Sequence, residues 1–346
     1  VGNPTTAECL PEDTALFTPL LNKPIDYQLN FIHAAPRDYV KYVELGKINV
    51  GFMYWETSSI PEDWAEIINT TLNAMIVCCN YTKESLLRSG VKVPIYITVP
   101  AIDVDCFNSN PSENSKIKLP TDLFKFYSIF TWNERKNPAG LLTAYCTEFG
   151  ADEKVVLIIK SYRGTSNADA EYIKHNMLMI KHGLGLEKYP KILFISDLLP
   201  IADIYELHRQ GDCFIQPSRS EGLGLPCFDA LLAGKPVIAS NYGAFPEYFP
   251  AANLNLVDCK ETPVYGMPWV PEYNGKMWWG VPDTMALRKQ MRSVFDNYTV
   301  SALKAHRAGQ LIKENYNYNK TGSALVEIFN TILANEFYKE KQEVIV

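Results

Sequence analysis

The alternation of short apolar runs with amphipathic segments is the feature that most constrains the fold of this 346-residue chain. The apolar runs are continuous rather than alternating, as in strands that are covered on both faces. They are LNFIHA (29–34), INVGFMYW (48–55), AMIVCC (74–79), VPIYITV (93–99), FKFYSIF (124–130), KVVLIIKS (154–161), KILFIS (191–196), CFIQPS (213–218) and PVIAS (236–240). Helical periods separate them; one of these is expected to be capped by Thr82 and to end at Gly90. This alternation predicts parallel, doubly wound α/β sheets.

A polar segment, DCFNSNPSENSKIKLPTD (105–122), divides the chain into a smaller and a larger α/β unit. It is rich in Asn, Ser and Pro and has no apolar period, which is typical of a linker. We expect one domain over residues 1–117, a second over 118–310, and a helical segment, 311–346, that crosses back to the first domain. Since ligands of open parallel sheets bind beyond the carboxyl ends of the strands, the site is expected in the cleft between the two domains.

Charge and cysteine content exclude several classes of protein. A net charge of −6 argues against a partner that is a nucleic acid. No run is long and apolar enough for a membrane span and no signal segment opens the chain, so membrane association is not indicated. Without CxxC pairs or clustered histidines, the eight cysteines predict buried, reduced thiols in a cytoplasmic protein rather than a zinc site. They are Cys9, Cys78, Cys79, Cys106, Cys146, Cys213, Cys227 and Cys259.

The stretch SRSEGLGLPCFDALLAGKPVIAS (218–240) carries the strongest chemical signal. Its Glu221 lies in a loop directly after an apolar run, and two glycines follow, which allow backbone N–H groups to approach a ligand closely. Pro226 suits a first helical turn, and a helix start with free amides binds anions, phosphate above all. Asp229, one turn into that helix, is placed to accept from ribose hydroxyls. The alternative is that both carboxylates are ordinary acids favoured at a helix start.

The segment PSRSEGLGLPCFDALLAGKPVIAS (217–240) resembles the signature of the retaining, GT-B-fold glycosyltransferases of family 4, PS..EGFGLP..EA...G.PV.AS. The chain keeps Glu221 and has Asp229, one methylene shorter, where the family has a second Glu. The next loop, NYGAFPEYF (241–249), matches with Gly243 and Glu247 in place. Similar residues run from about 50 to about 295.

The resemblance implies a GT-B fold, with two Rossmann-like parallel-sheet domains facing a cleft. The first domain is reduced, since residues 1–28 show no strand with a glycine-rich loop, and the chain is therefore either a fragment or module of a larger polypeptide or a variant with a reduced acceptor domain. By resemblance, the second domain binds a UDP- or GDP-sugar and the first binds a glycan or other hydroxyl acceptor. A hexose-type sugar is transferred with retention and without a metal or other cofactor.

The resemblance also assigns roles to residues of the donor side. Glu221 orients the donor sugar, while Lys136 and Arg135, in FTWNERKNPAGLLTAY (130–145), hold the diphosphate; the alternative is that these two are exposed loop cations. Ser196, Asp197 and Leu198 lie where family members cradle the nucleobase. Lys160 either faces the phosphates or is a solvated residue at the end of a strand. The amides of the turn that face the phosphates belong to Gly222, Leu223, Gly224 and Leu225.

Three residues are candidates for the acceptor side. His33 either lines the cleft or is a hydrogen-bonded structural residue. Trp55 and Glu56 either stack on and bind an acceptor sugar or pack between the domains. The aromatic segment 259–279 is too irregular for a strand or helix, and it is either a flap beside the cleft or a packed surface excursion.

The triplet Asp103-Val104-Asp105 is a DxD sequence, which binds a metal in GT-A enzymes. Here it occupies the family's P-x-G-x-D segment, and we expect no metal there, because Lys136, Arg135 and helix amides neutralise the leaving diphosphate. Two other classes stay open from the sequence. One is another GT-B-like enzyme, such as an epimerase or phosphorylase; the other is a non-catalytic nucleotide-sugar-binding module.

Overall fold

A computed structural model describes residues 18–20, 23, 25–108, 115–163, 167–249 and 251–343 of the chain. Cys9 lies outside these residues. So do most of residues 1–28, the segment in which the sequence shows no strand with a glycine-rich loop. The other seven cysteines are free thiols, and all but Cys259 are buried. Among the described helices, none is both long and apolar enough to cross a bilayer.

The first sheet has four parallel strands in the order in which they occur along the chain. They are β1 (Leu29–His33), β2 (Ile48–Phe52), β3 (Ala74–Val77) and β4 (Ile95–Ile97). Helices α1 (Pro36–Tyr39), α2 (Glu62–Thr71) and α3 (Asn80–Arg88) connect them. Because right-handed crossovers between successive neighbouring strands all fall on one side, these helices cover one face of the sheet only.

The second sheet has six parallel strands in the order β10-β9-β8-β5-β6-β7. The strands are β5 (Phe124–Thr131), β6 (Val155–Tyr162), β7 (Lys191–Ile195), β8 (Cys213–Gln216), β9 (Val237–Ser240) and β10 (Asn255–Val257). The helices are α4 (Pro138–Glu148), α5 (Asn167–Leu184), α6 (Ile201–Gln210), α7 (Leu225–Leu232), α8 (Phe245–Tyr248), α9 (Thr284–Asp296) and α10 (Tyr298–Asn315). Strand order reverses between β5 and β8, and this switch point is where the loops after both strands meet.

The last helix, α11 (Tyr318–Glu343), packs on the face of the first sheet that the crossover helices leave open. Its Ile332 lies in one apolar cluster with Val50 and Phe52 of β2 and Ile76 of β3. Asn73 Nδ2 donates to Glu336 Oε2 at 3.0 Å at the edge of this contact. The helix therefore completes the second layer that a two-sided parallel sheet requires.

The aromatic segment expected to be irregular begins and ends in an antiparallel hairpin, β11 (Cys259–Pro263) and β12 (Trp278–Pro282). Met267, Met277 and Trp279 of this hairpin and its loop pack in one cluster with Trp55 and Trp64 of the first domain. Ser58 N donates to Trp278 O at 2.9 Å, and Trp278 N donates to the Ser58 hydroxyl at 2.8 Å, which adds to the contact. The segment is therefore a packed excursion across the two domains rather than an open flap, and the expectation of no strand was wrong at its ends.

Candidate functional site

The site forms at the switch point, where the loops after β5 and β8 lie side by side. After β5, a single 3₁₀ turn over Glu134–Lys136 carries the two cations. Asn133 fixes the start of this turn, its side chain accepting from Lys136 N at 3.2 Å. Asn137 then adopts a left-handed conformation, φ 55°, and caps α4 by accepting from Gly140 N at 3.2 Å. This local geometry presents both cations toward the loop that follows β8.

A buried carboxylate bridges the two cations. Glu221 is only 5% exposed, and its Oε1 lies 2.5 Å from Lys136 Nζ while its Oε2 lies 2.8 Å from Arg135 Nη1. Burial by itself would raise the pKa of Glu221, but the charges of Lys136 and Arg135 outweigh burial and hold that pKa well below its usual range. Burial lowers the pKa of Lys136, against the pull of Glu221. Glu221, Lys136 and Arg135, predicted as the catalytic set, are thus brought together.

Glu56 of the first domain joins this ion cluster. Its Oε1 lies 3.2 Å from Arg135 Nε. The angle is too poor for a hydrogen bond, and Arg135 Nε has no other partner, so the contact is an ion pair only. Tyr273, in the hairpin loop, donates its hydroxyl to the same carboxylate. Arg135 therefore lies between two carboxylates, one from each domain. The sequence analysis named Glu56 as a candidate but did not name Tyr273. The only sequence signal for Tyr273 was the aromatic composition of residues 259–279.

The glycine turn packs tightly against the first domain. Gly222 O accepts from Cys78 Sγ and from Tyr248 OH, each at 2.9 Å. A Cβ at Gly222 would lie 3.3 Å from Tyr54 Cβ and 3.4 Å from the Trp55 backbone. Because Gly222 has no side chain, the first domain can pack closely against this turn. The sequence analysis had instead explained the glycine by the approach of backbone N–H groups to a ligand.

The rest of the turn starts helix α7. Gly224 is its N-cap in a left-handed conformation, φ 79°, and a Cβ there would meet the Phe245 ring at 2.6 Å. Leu223 is buried in the core, while Leu225 is 50% exposed at the first position of the helix. The predicted contact of these amides with a phosphate stays a prediction.

Glu247, in the matched loop after β9, makes a contact between the domains that the sequence did not predict. Its two carboxylate oxygens accept from Asn80 N and Tyr81 N, each at 2.6 Å. These are the first two amides of α3, which have no partner within their own helix. A carboxylate at this end also complements the helix dipole. The loop after β9 is therefore fixed to the first domain.

Asp229 lies in the second turn of α7 and is partly buried. Burial, and next the negative charge of Asp103, raise the pKa of Asp229 to about 7. The DxD sequence thus approaches helix α7, and Asp103 Oδ1 accepts from Asp105 N at 3.1 Å. Among the residues that the structure describes, no group of three or more His, Cys, Asp or Glu side chains is arranged to hold a metal ion.

A cavity of about 360 Å³ lies at the end of β7. Ser196, Asp197 and Leu198 line it together with residues 116–119, so the residues predicted for the nucleobase are brought together around a concave space. Lys160 lies two residues before the end of β6 and is only 3% exposed, so it is not the solvated strand-end residue of the alternative; its Nζ lies 5.0 Å from the centroid of the Tyr162 ring. Burial lowers the pKa of Lys160, and the nearby charge of Asp197 opposes that change.

The acceptor-side candidates divide into different environments. His33 is exposed at the end of β1 and packs edge-on to the rings of Phe52 and Tyr54. Trp55 is 5% exposed, donates from Nε1 to Ser59 O at 2.8 Å, and packs on Trp64. Its ring is therefore a core residue, the packing alternative, and it offers no face to a sugar.

Comparisons with known proteins find a matching family model and relatives of low sequence identity. Residues 111–261 match the family model described as glycosyl transferases group 1. O-antigen chain mannosyltransferase B of Escherichia coli is 26% identical over 180 residues, which cover 52% of this chain and 44% of that protein. The chain thus spans less than half the length of this curated relative.

Two solved structures share the fold at low sequence identity. HepE of Anabaena, solved with UDP and glucose, is 15% identical, with a TM-score of 0.65 over 87% of this chain and 78% of its own. Sucrose-phosphate synthase of Thermosynechococcus elongatus is also 15% identical, with a TM-score of 0.65 over 89% of this chain and 74% of its own.

Two parallel-sheet domains that meet at a switch-point site define the GT-B class, and the predicted fold is confirmed. Within that class, the predicted resemblance to the group 1 glycosyltransferases is also confirmed, with the family match on residues 111–261.

Proposed function

We propose that the chain transfers a hexose-type sugar, with retention, from a UDP- or GDP-sugar to a hydroxyl of a glycan or similar acceptor. The observation that carries this proposal is the buried Glu221 between Arg135 and Lys136 at the switch point. A carboxylate and two cations in a desolvated site are suited to hold a sugar by its hydroxyls and to stabilise the charge of a departing diphosphate.

The donor is expected to lie along the carboxyl ends of the second sheet. Its base enters the cavity at Ser196–Leu198, and Asp229 accepts from the ribose hydroxyls. The diphosphate meets Arg135, Lys136 and the amides of residues 222–225, with Lys160 nearby, and needs no metal ion. We infer that the acceptor hydroxyl attacks from the face of the leaving group, and that the departing phosphate takes its proton.

Glu56 supports the placement of the acceptor between the domains. It comes from the first domain and already contacts Arg135, so an acceptor hydroxyl bound by Glu56 would lie beside the donor diphosphate. His33, farther along the same sheet edge, is the second acceptor-side residue of the proposal.

Turnover of a panel of UDP- and GDP-sugars, with and without oligosaccharide acceptors, tests the proposal. We expect Glu221→Ala to reduce both the rate of sugar transfer and the rate of donor hydrolysis at least about 100-fold. Glu314→Ala, an exposed carboxylate on α10, is the matched control and should turn over like the wild type. Wild-type turnover by Glu221→Ala would contradict the assignment, and loss of activity in EDTA would contradict metal independence.

One observation favours a second candidate, a non-catalytic module that binds nucleotide sugars. Arg135 is already paired with two carboxylates, and Gly222 is packed against the first domain. Nucleotide binding without hydrolysis or transfer of any donor in the panel would favour this module over the transferase. Release of an epimerised sugar without an acceptor would instead identify an epimerase.

A further inference from the structure

Arg163, Tyr172 and Trp269 form an exposed cluster, here called the aromatic rim, outside the ion cluster. The guanidinium carbon of Arg163 lies 4.3 Å from the centroid of the Tyr172 ring and 5.6 Å from that of the Trp269 ring. Trp269 is 53% exposed and Tyr172 is 42% exposed, and Arg163 is also exposed. Both rings therefore lie against one guanidinium while each residue stays about half exposed, so the three side chains form one surface that is open to water.

The aromatic rim adjoins the basic turn of the donor site. Arg163 directly follows β6, whose last residue, Tyr162, pairs with Thr131 at the end of β5 and accepts from Trp132 N at 2.8 Å. The chain then enters the Glu134–Lys136 turn. Arg163 thus lies at the strand edge from which Arg135 and Lys136 project.

The hairpin loop reaches the same place from the other side. Gly266 packs so closely on the basic turn that a Cβ there would lie 2.8 Å from Glu134 Cγ. Trp269 follows three positions later, and Tyr265, 50% exposed, precedes Gly266. Tyr172 is near the start of α5, which lies at the carboxyl end of β6. All parts of the aromatic rim therefore lie at the edge of the sheet where ligands bind.

The chemistry of the aromatic rim fits a neutral sugar chain. An aromatic ring is a flat apolar surface on which the C–H face of a sugar can pack, and Tyr also carries a polar group. The guanidinium has five N–H donors in a plane, which suit the neighbouring hydroxyls of a hexose. A nucleobase also stacks on aromatic rings, but the cavity at Ser196–Leu198 already provides a concave space for a base.

We propose that the aromatic rim binds a neutral oligosaccharide and holds it as the acceptor chain beside the donor cleft. The acceptor role rests on the proposed glycosyltransferase function, whereas binding of the oligosaccharide does not require donor chemistry. Trp269 and Tyr172 supply the stacking faces, and Arg163 binds hydroxyls between them.

Calorimetric titration of the full chain with mannohexaose, maltohexaose and cellohexaose tests the proposal, with UDP and GDP titrated in parallel. We expect the wild type to bind at least one hexasaccharide, and Trp269→Ala to weaken that binding about tenfold without changing nucleotide affinity. Trp269→Phe, which keeps a flat ring, should retain most of the affinity. The control is Trp278→Ala, because Trp278 is a 43% exposed tryptophan of the same hairpin whose strand neighbour, the buried Trp279, points to the opposite side.

Three results would overturn the proposal. The first is that a wild type that binds UDP or GDP binds none of the hexasaccharides. The second is that Trp269→Ala binds the oligosaccharide as tightly as the wild type does. The third is that Trp269→Ala loses nucleotide affinity, which would make the aromatic rim a base-stacking surface. Binding of a hexasaccharide through Trp269 by a chain that binds no nucleotide would support the aromatic rim while contradicting the proposed transferase.

Discussion

The carboxyl of Asp229 titrates close to neutral pH, unlike an ordinary aspartate. Burial and the charge of Asp103 disfavour its ionised form, which brings its pKa to about 7. In the unfolded chain this carboxyl has the ordinary aspartate pKa of about 3.9. Between these two pKa values the folded state holds a proton that the unfolded state has lost, so the contribution of Asp229 to stability falls as the pH rises through this window.

We therefore predict that Asp229→Asn stabilises the chain above pH 7 and has little effect near pH 4. The expected gain in the free energy of unfolding at pH 8 is on the order of 2 kcal/mol, allowing for partial access of water. Urea unfolding at both pH values measures it, with the exposed Asp122→Asn as the control. An equal effect of Asp229→Asn at the two pH values would show that burial and Asp103 do not shift this group.

At the scale of elements, α3 shows where a sequence pattern stops being sufficient. The pattern predicted the helix and its end, and Gly90 follows it with φ 90°. The start was misplaced: the helix begins at Asn80, and Thr82 is a buried residue whose hydroxyl donates to Trp55 O at 2.9 Å. Residues distant in the chain decide this end, because the first amides bind Glu247 from the other domain.

The same limit explains the rest of the comparison with the sequence. Continuous apolar runs predicted the four strands of the first sheet and β5 to β9 of the second, but not the short β10. The motif and the basic turn pointed to Glu221, Arg135 and Lys136 as one site, whereas their direct ion pairing was not predicted. The contacts of Tyr273, Glu247 and Cys78 could not be predicted, since each depends on how the two domains pack. The role of Trp55 was ambiguous for a related reason. A tryptophan at the end of a strand can stack on a sugar if its ring is open, or belong to the core if another side chain covers the ring. In this structure Trp64 covers the Trp55 ring.

We predict that Glu247→Ala lowers the free energy of unfolding by about 1–2 kcal/mol, because it leaves two amides of α3 without a partner. Chemical denaturation of the full chain measures the change. Glu84→Ala, an exposed substitution inside the same helix, should stay within about 0.5 kcal/mol of the wild type. Equal stabilities of the two variants would show that the contact between the domains does not depend on this cap.

For the molecule as a whole, the two domains share their apolar cores. Cys78, Cys79 and Ile102 of the first domain lie in one cluster with Phe228 and Tyr248 of the second. On the other side, the hairpin of the second domain packs with Trp55 and Trp64. Neither domain can unfold without exposing surface that the other buries.

We predict a single cooperative unfolding transition in scanning calorimetry, with the calorimetric and van't Hoff enthalpies in agreement. Removing the large, fully buried Trp279 by Trp279→Ala should lower stability by about 3–5 kcal/mol and separate the transition into two. The exposed Trp278→Ala should leave one transition. Two resolved transitions in the wild type would show that the domains are energetically independent.

The ion pair between Glu56 and Arg135 has a thermodynamic consequence for donor binding. If a diphosphate takes Glu56's place at Arg135, the two are competing ligands of one guanidinium, and linkage makes their effects equal and reciprocal. Glu56→Gln should then tighten UDP or GDP binding in calorimetry, while Glu62→Gln, an exposed carboxylate of the same domain, should not. By the same factor, bound nucleotide should weaken the contact of Glu56 with Arg135, which joins the first domain to the second. Binding of the donor should therefore loosen the cleft that the acceptor enters.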